Sequence, residues 1–270
     1  MPELPEVETT RRGIAPYLQG KVIQHLQVRQ PQLRWPIPEH LGTLIAGQTV
    51  ESVSRRAKYL LLQLSGGTLL IHLGMSGSLR ILDHPSEPGP HDHFDLIVSG
   101  CCLRYRDPRR FGALLWTEED PDKHPLLSGL GPEPLGGDFN GDYLYRRSRA
   151  RKLPVKSFIM DSKVVVGVGN IYASESLFAA SIHPHRPCHR ISRHRYQTLA
   201  EQVRHVLLAA IQEGGTTLRD FQREDGRPGY FEQQLHVYGR AGQDCPACGH
   251  RIRQLRIGQR SSYFCPRCQL

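Results

Sequence analysis

The sequence predicts a multi-domain α+β protein with a β-rich N-terminal part, a helical part and a small cysteine-bearing end. Three observations carry this. Eight short strand-like runs follow one another with no long helix between them. Helical periodicity takes over near residue 170, and two CxxC pairs occupy the last stretch. A chain of 270 residues is also near the size at which single cores stop growing, which favours more than one domain.

Residues 5–15 (PEVETTRRGIA) read as a short helix. Pro5 suits the first helical position, and Glu6 and Glu8 fall in the first turn, where the helix dipole favours anions. Strand-like runs follow at 22–28, 49–54, 59–64, 68–73, 78–82, 94–98, 101–106 and 111–116, several joined by turns such as Ser65-Gly66-Gly67 and Ser99-Gly100. By themselves they suggest an antiparallel sandwich or barrel. The stretch 118–142 is rich in Pro, Gly and Asp and reads as a linker. Residues 170–180 (NIYASESLFAA) read as a helix that Asn170 can cap. A longer helix fits 193–213, where Leu199, Val203, Val206, Leu207, Ala210 and Ile211 recur at helical spacing between Ser192 and Gly214-Gly215. The end of the chain returns to strand-like pieces around the cysteines.

Lys and Arg total 35 against 26 Asp and Glu, a formal charge of +9. That excess points to a polyanionic partner, nucleic acid before an anionic membrane. No apolar run approaches the roughly 18–20 residues that span a bilayer, and MPELPEVE has no secretory character. Cys101, Cys102 and Cys188 are scattered, whereas Cys245, Cys248, Cys265 and Cys268 form two pairs. An odd total with paired spacing argues for a reducing compartment and a metal rather than disulfides. The expectation is a cytoplasmic protein.

Sixteen residues separate Cys248 from Cys265. Each CxxC can hold two thiolates on one side of an ion, and two pairs joined by a hairpin-length insert close a tetrahedral site. Four thiolates favour structural zinc over iron, with no ligand position left open for catalysis. The insert carries Arg251, Arg253, Arg256 and Arg260. It is either a solvated basic hairpin or, in a cationic protein, a DNA-contacting finger.

Pro2 follows Met1 directly, a context that permits removal of the initiator methionine. The freed secondary amine would have a pKa near 7.7–8, far below lysine, and could form an iminium with a sugar carbon. Glu3 and Glu6 follow, and either could move protons beside it. On spacing alone, the plainer reading of these residues as a helix start with acidic first-turn residues comes first.

Longer blocks change that order. PELPEVETTRRG, RRAKYLLLQL (55–64), HLGMSGSLRIL (72–82), HDHFDL (91–96) and RYRDPRRFGA (104–113) resemble bacterial formamidopyrimidine-DNA glycosylases, also called 8-oxoguanine DNA glycosylases. So do LGPEPL (130–135), VVGVGNIYASESLFAASIHP (165–184), GGTTLRDF (214–221), PGYF (228–231), VYGR (237–240) and the finger. The resemblance covers nearly the whole chain.

It implies an N-terminal antiparallel β-sandwich with its helix (1–132), a linker (133–150), a helix–two-turn–helix domain (151–235) and a zinc finger (236–270). It further implies a bifunctional base-excision-repair enzyme acting on double-stranded DNA that holds an oxidised purine or an abasic site. The enzyme would be a monomer with one structural zinc and no organic cofactor, associated with the nucleoid through DNA.

By the same resemblance Pro2 is the Schiff-base nucleophile and Glu3 the general acid/base of ring opening and base release. Lys58 is the proton donor of β-elimination, and Arg260 serves δ-elimination and the flanking phosphates. Met75, Arg109 and Phe111 match three wedge residues that fill the space left by an extruded nucleotide. Asn170, Lys156, His91 and Arg151 match DNA contacts, Arg151 in a stretch (145–153) that departs from the family's pattern.

Without the family, Met75 and Phe111 read as core, Lys58 as a strand-edge cation, and Trp35 and Trp116 as packing residues. His91-Asp92-His93 and His183, His185, Cys188 and His189 could pass for metal sets. Residues 222–231 read as a lid. Two other readings stay open: the related endonuclease VIII branch, which prefers oxidised pyrimidines, and a non-catalytic zinc-ribbon DNA-binding protein. PELPE and the Met75, Arg109, Phe111 set favour the purine branch, and a purely binding role leaves Pro2 and Glu3 unexplained.

Overall fold

In the computed structural model the described residues are 2–214 and 235–270. The chain divides into two compact units, 1–128 with 211–231, and 129–210 with 232–270.

The first unit opens with α1 (Leu4–Leu18), in which Leu4, Val7, Ile14 and Leu18 are fully buried along one stripe. Eight strands follow: β1 (Ile23–Val28), β2 (Val50–Arg56), β3 (Tyr59–Leu64), β4 (Gly67–His72), β5 (Ser78–Leu82), β6 (Asp92–Val98), β7 (Cys101–Arg106) and β8 (Ala113–Thr117). A short helix, α2 (Leu41–Ile45), lies between β1 and β2. The strands form two antiparallel sheets, ordered β2-β3-β4-β8 and β1-β6-β7-β5. Because side chains alternate along a strand, Leu60, Leu62 and Leu64 of one sheet share a core with Phe94, Leu96, Val98, Leu79 and Ile81 of the other, and α1 contributes Val7, Ile14 and Leu18. Two separate sheets decide for a sandwich over a barrel.

The outer face of the second sheet is ionic. Arg104, fully buried on β7, forks onto Asp95 of β6 at 2.8 and 2.7 Å, and Arg29 grips the same carboxylate at 2.7 and 3.0 Å. Burial acts to raise the Asp95 pKa, but the Arg104 and Arg29 bonds outweigh it and hold it below the usual value. Arg104 also donates to the carbonyls of Ser86 and Glu87, and Asp92 accepts from the Gly89 amide at 2.9 Å. These bonds strap the 83–91 loop onto the sheet up to His91.

The second unit contains α3 (Gly141–Ser148), α4 (Val155–Ile159), α5 (Asn170–Ala179) and all but the last turn of α6 (Arg193–Gly214). Helix α3 lies within the stretch read as a linker. Asn140 caps it, accepting from the Tyr143 amide at 2.9 Å. Asn170 does not cap α5: Gly169 holds that position and Asn170 is the first helical residue, its side chain directed elsewhere. Arg204 of α6 donates to the carbonyls of Pro134, Gly136 and Phe139, which fastens that irregular stretch to the helix.

The chain closes with the antiparallel hairpin β9 (Arg253–Ile257) and β10 (Arg260–Phe264). Gln269 donates to the Ile182 carbonyl, and the Leu270 amide donates to the Ser181 carbonyl, joining the end of the finger to the residues after α5.

Candidate active site and nucleic-acid interface

Pro2 is half-buried immediately before α1. Glu3 occupies the N-cap position and is only 1% exposed. Glu6 accepts from the Glu3 backbone amide at 2.7 Å, and the two form a capping box. Both carboxylates thus cap the start of α1, and Glu3 is the buried acid that directly adjoins Pro2.

Further along α1, Glu8 receives Arg11 and Arg12 at 2.9 Å each and Arg55 of β2 at 3.3 Å. Burial pushes the Glu8 pKa up, yet the Arg11 and Arg12 hydrogen bonds prevail and keep it lowered. Arg55 extends its other arm to the Ala57 carbonyl at 2.8 Å. Ala57 adopts a left-handed φ of 55°, strained for a residue with a Cβ, and this two-residue turn presents Lys58. One carboxylate thus relates the helix that begins beside Pro2 to the turn that carries Lys58.

His72, at the end of β4, escaped the sequence reading. Its Nδ1 accepts from the Gly74 amide at 2.9 Å, and its ring lies 4.7 Å from that of Tyr59. Burial, then the charges of Lys58 and Arg34, depress its pKa to about 4, with Asp107 acting in the opposite direction. It is a neutral imidazole with Nδ1 as acceptor, so the remaining N–H is on Nε2. Only the HLG context marked it in the sequence, without a role.

Met75, Arg109 and Phe111 lie on two turns, after β4 and after β7. Met75 is 40% exposed and Phe111 44%, unusual for large apolar side chains, and this removes both from the core. The Arg109 guanidinium stacks over the Phe111 ring at 4.9 Å. The two turns are in close contact: a Cβ on Gly74, whose φ is +64°, would run into the Phe111–Gly112 backbone. His91 is half-buried nearby, its carbonyl accepting from the Asp107 amide at 3.0 Å.

In the second unit Lys156, which the resemblance matches to a DNA contact, is enclosed. It is 1% exposed, and its Nζ donates to Asn170 Oδ1 at 2.6 Å, Ser262 Oγ at 2.8 Å and the Ser261 carbonyl at 3.1 Å. Asn170 Nδ2 reaches the same carbonyl at 3.1 Å and the Tyr238 hydroxyl at 3.4 Å. Lys156 therefore holds Asn170 against β10, one residue from Arg260. Glu175, buried on α5, accepts from the backbone amides of His236, Val237 and Tyr238 at 2.8–3.0 Å, so Tyr238 is fixed beside Asn170. Neither Glu175 nor Tyr238 stood out in the sequence.

Arg260 is exposed at the hairpin turn, where Gly258 takes a left-handed φ of 59°. Arg151 is ion-paired to Asp161 at 3.0 Å and packs over Phe158.

The sulfur atoms of Cys245, Cys248, Cys265 and Cys268 all lie within 4.8 Å of one another, with Cys245–Cys268 at 3.9 Å and Cys248–Cys265 at 3.5 Å. Tetrahedral thiolates about 2.3 Å from an ion would stand about 3.8 Å apart, so the set fits. Among the described residues no other group could hold a metal. His93 Nε2 faces the Asp107 carbonyl at 2.7 Å, and His189 Nδ1 faces that of Arg151 at 3.1 Å. The segment 222–231, read as a lid, lies outside the described residues.

Three family models match: the formamidopyrimidine-DNA glycosylase N-terminal domain over 1–114, its H2TH domain over 130–222, and the zinc finger found in FPG and IleRS over 242–270. The formamidopyrimidine-DNA glycosylase of Stutzerimonas stutzeri is 60% identical over 270 residues, covering all of both chains. The crystal structure of the MutM (Fpg) protein of Thermus thermophilus superposes with a TM-score of 0.85 at 39% identity, covering 99% of this chain and 98% of that one. A Lactococcus lactis Fpg mutant, crystallised with Fapy-dG-containing DNA, superposes with a TM-score of 0.89 at 30% identity over 99% of each chain. The chain belongs to the formamidopyrimidine-DNA glycosylase family of DNA-repair enzymes.

Proposed function

We propose that this enzyme excises oxidised purines from double-stranded DNA through a Schiff base on Pro2 and then cleaves the abasic strand by β,δ-elimination. The observation that carries the reading is the placement of Pro2 directly before a nearly fully buried Glu3 at the start of α1. With Met1 removed, Pro2 is a secondary amine, and a far larger fraction of it is unprotonated near neutral pH than of any ordinary lysine. Its nitrogen attacks C1′, the bond from C1′ to the base breaks, and the base leaves with that electron pair. Glu3 supplies the proton that opens the sugar ring. The resulting iminium accepts the electrons released when a C2′ proton is lost, and the C3′–O3′ bond breaks. A second elimination breaks C5′–O5′. Lys58 serves the first elimination, and Arg260 the second.

Extruding the nucleotide leaves a gap in the duplex. Exposed Met75 and Phe111 with the Arg109 guanidinium fit the task of filling it and bonding the orphaned base. His91, Asn170 and Arg151 hold backbone phosphates, and Lys156 supports them by fixing Asn170 and the hairpin. The four cysteines hold one structural zinc, which supplies no reactive position because thiolates fill its tetrahedron.

Borohydride reduction with DNA carrying 8-oxoguanine opposite cytosine tests the chemistry. A covalent adduct mapping to the Pro2 peptide is expected, and its absence in protein shown by intact mass to lack Met1 rejects the mechanism. Faster release of 8-oxoguanine than of thymine glycol is expected; the reverse order would favour the endonuclease VIII branch.

A further inference from the structure

Asp107 takes no part in the chemistry described above, yet it is completely buried. Its Oδ1 accepts from Ser76 Oγ at 2.6 Å and from the Arg109 amide at 3.2 Å. Its Oδ2 accepts from the Gly112 amide at 2.9 Å and from the Tyr105 hydroxyl at 3.1 Å. Ser76 Oγ in turn accepts from the Arg109 amide at 3.2 Å. Four donors around one carboxylate fill its lone-pair sites.

These donors come from two separate turns. Ser76 directly follows Met75, whereas Arg109 and Gly112 bracket the turn that bears Phe111. The backbone of Asp107 is tied as well, its amide to the His91 carbonyl and its carbonyl to His93 Nε2. Tyr105 closes the arrangement from the core. Burial and then the Asp107 charge push its phenol pKa far up, so it remains a donor. A Cβ on Gly112 would overlap the Tyr105 hydroxyl, which explains a glycine there without any appeal to φ.

We propose that Asp107 is the positioning residue that joins the two turns into one rigid wedge, so that Met75, Arg109 and Phe111 enter the duplex together. This rests on the wedge role given to those three side chains above. Without the carboxylate, the Arg109 and Gly112 amides and the Ser76 hydroxyl lose their shared acceptor. Each turn then samples its own conformations, and insertion becomes two events instead of one.

Stopped-flow fluorescence of DNA with 2-aminopurine opposite the lesion reads insertion directly, and single-turnover base release reads its consequence. Asp107→Ala is expected to slow both by about tenfold to a hundredfold, the scale that follows from loosening a positioned group by about an ångström. Incision of single-stranded DNA with a preformed abasic site needs no extrusion from a duplex and should stay within about twofold of wild type. Asp107→Asn keeps one carbonyl acceptor and should recover part of the loss. Ser76→Ala removes the bond to the carboxylate and the one its oxygen accepts from the Arg109 amide, and a slowing of about tenfold, the low end for a hydrogen bond to a charged group, is expected. It keeps the test decisive if Asp107→Ala does not fold.

Phe111→Ala is the reference. If it slows insertion while Ser76→Ala and every folded Asp107 variant behave as wild type, the coupling is refuted and the wedge reading stands. If Phe111→Ala itself inserts at the wild-type rate, the wedge reading fails and the proposal falls with it. Slowing of single-stranded incision to the same extent as base release would assign Asp107 a merely structural role.

Discussion

In each unit a buried charge gathers partners from separate segments beside a candidate DNA-contacting residue, and the two charges have opposite signs. In the first unit Asp107 gathers four donors, and the turns around it push Met75, Arg109 and Phe111 outward. In the second, Lys156 donates to Asn170, Ser261 and Ser262, and the hairpin beside it exposes Arg260. The anion organises backbone amides and hydroxyls; the cation organises carbonyl, hydroxyl and amide oxygens. Both cases teach the same lesson about charged residues in a DNA enzyme. The ones fully enclosed set the shape, and the exposed ones on the turns they organise face solvent.

The largest expected effect is on the second unit. Chelation at neutral pH should melt the finger and abolish incision of duplex DNA, since metal binding is folding free energy in such sites. Full incision in metal-free protein, checked by elemental analysis, would show that the hairpin stands without its ion. Next comes Lys156→Met, which leaves buried oxygens without their donor and should lower unfolding free energy by about 2–4 kcal/mol. Denaturant titration measures it; a change below about 0.5 kcal/mol would mean that the cation is not the organiser described here.

Acid should weaken the first unit through His72, Glu8 and Asp95. His72 is held at about pKa 4 in the fold, against about 6.5 unfolded. Between these values the unfolded chain binds the proton and the native one does not, so stability falls as pH drops from about 6.5 toward 4. Glu8 and Asp95, lowered in the fold, add a loss as pH falls through their folded values. NMR of labelled histidine checks the first point: His72 should stay neutral at pH 5 with its proton on Nε2, and ordinary titration near 6.5 would contradict it.

The smallest structural effects belong to exposed cations. Arg260→Ala should leave metal content and melting unchanged while weakening incision; loss of the metal would make that residue structural. Arg151→Ala, which breaks a partly exposed ion pair with Asp161, should cost no more than about 1 kcal/mol.

Much of the fold was legible because it is locally encoded. Short β-type runs between turns placed all eight strands of the sandwich to within about two residues, and Pro5 with the acidic first turn marked the start of α1. Helices α2, α3 and α4 were missed, being too short to display a period; α3 also lies in a Gly- and Asp-rich stretch whose only helical signal is Asn140 as a cap. The metal ligands were readable from spacing, and the wedge residues only through resemblance. Asp107, Glu175 and His72 were not readable, because what singles them out is a set of partners distant in sequence. The burial of Lys156 was hidden for the same reason: a lysine in a basic chain looks solvent-facing until Ser261 and Ser262, more than a hundred residues later, are seen around it.

The bonds from Gln269 to Ile182, from Leu270 to Ser181 and from Lys156 to Ser261 have a consequence for portability. A hairpin whose last residues and central strand are stitched into the helices is not an interchangeable cartridge. Exchanging it between relatives would have to carry Lys156 and the turn at 181–182 along with the cysteines, and a graft that moved residues 242–270 alone would arrive with its seams open.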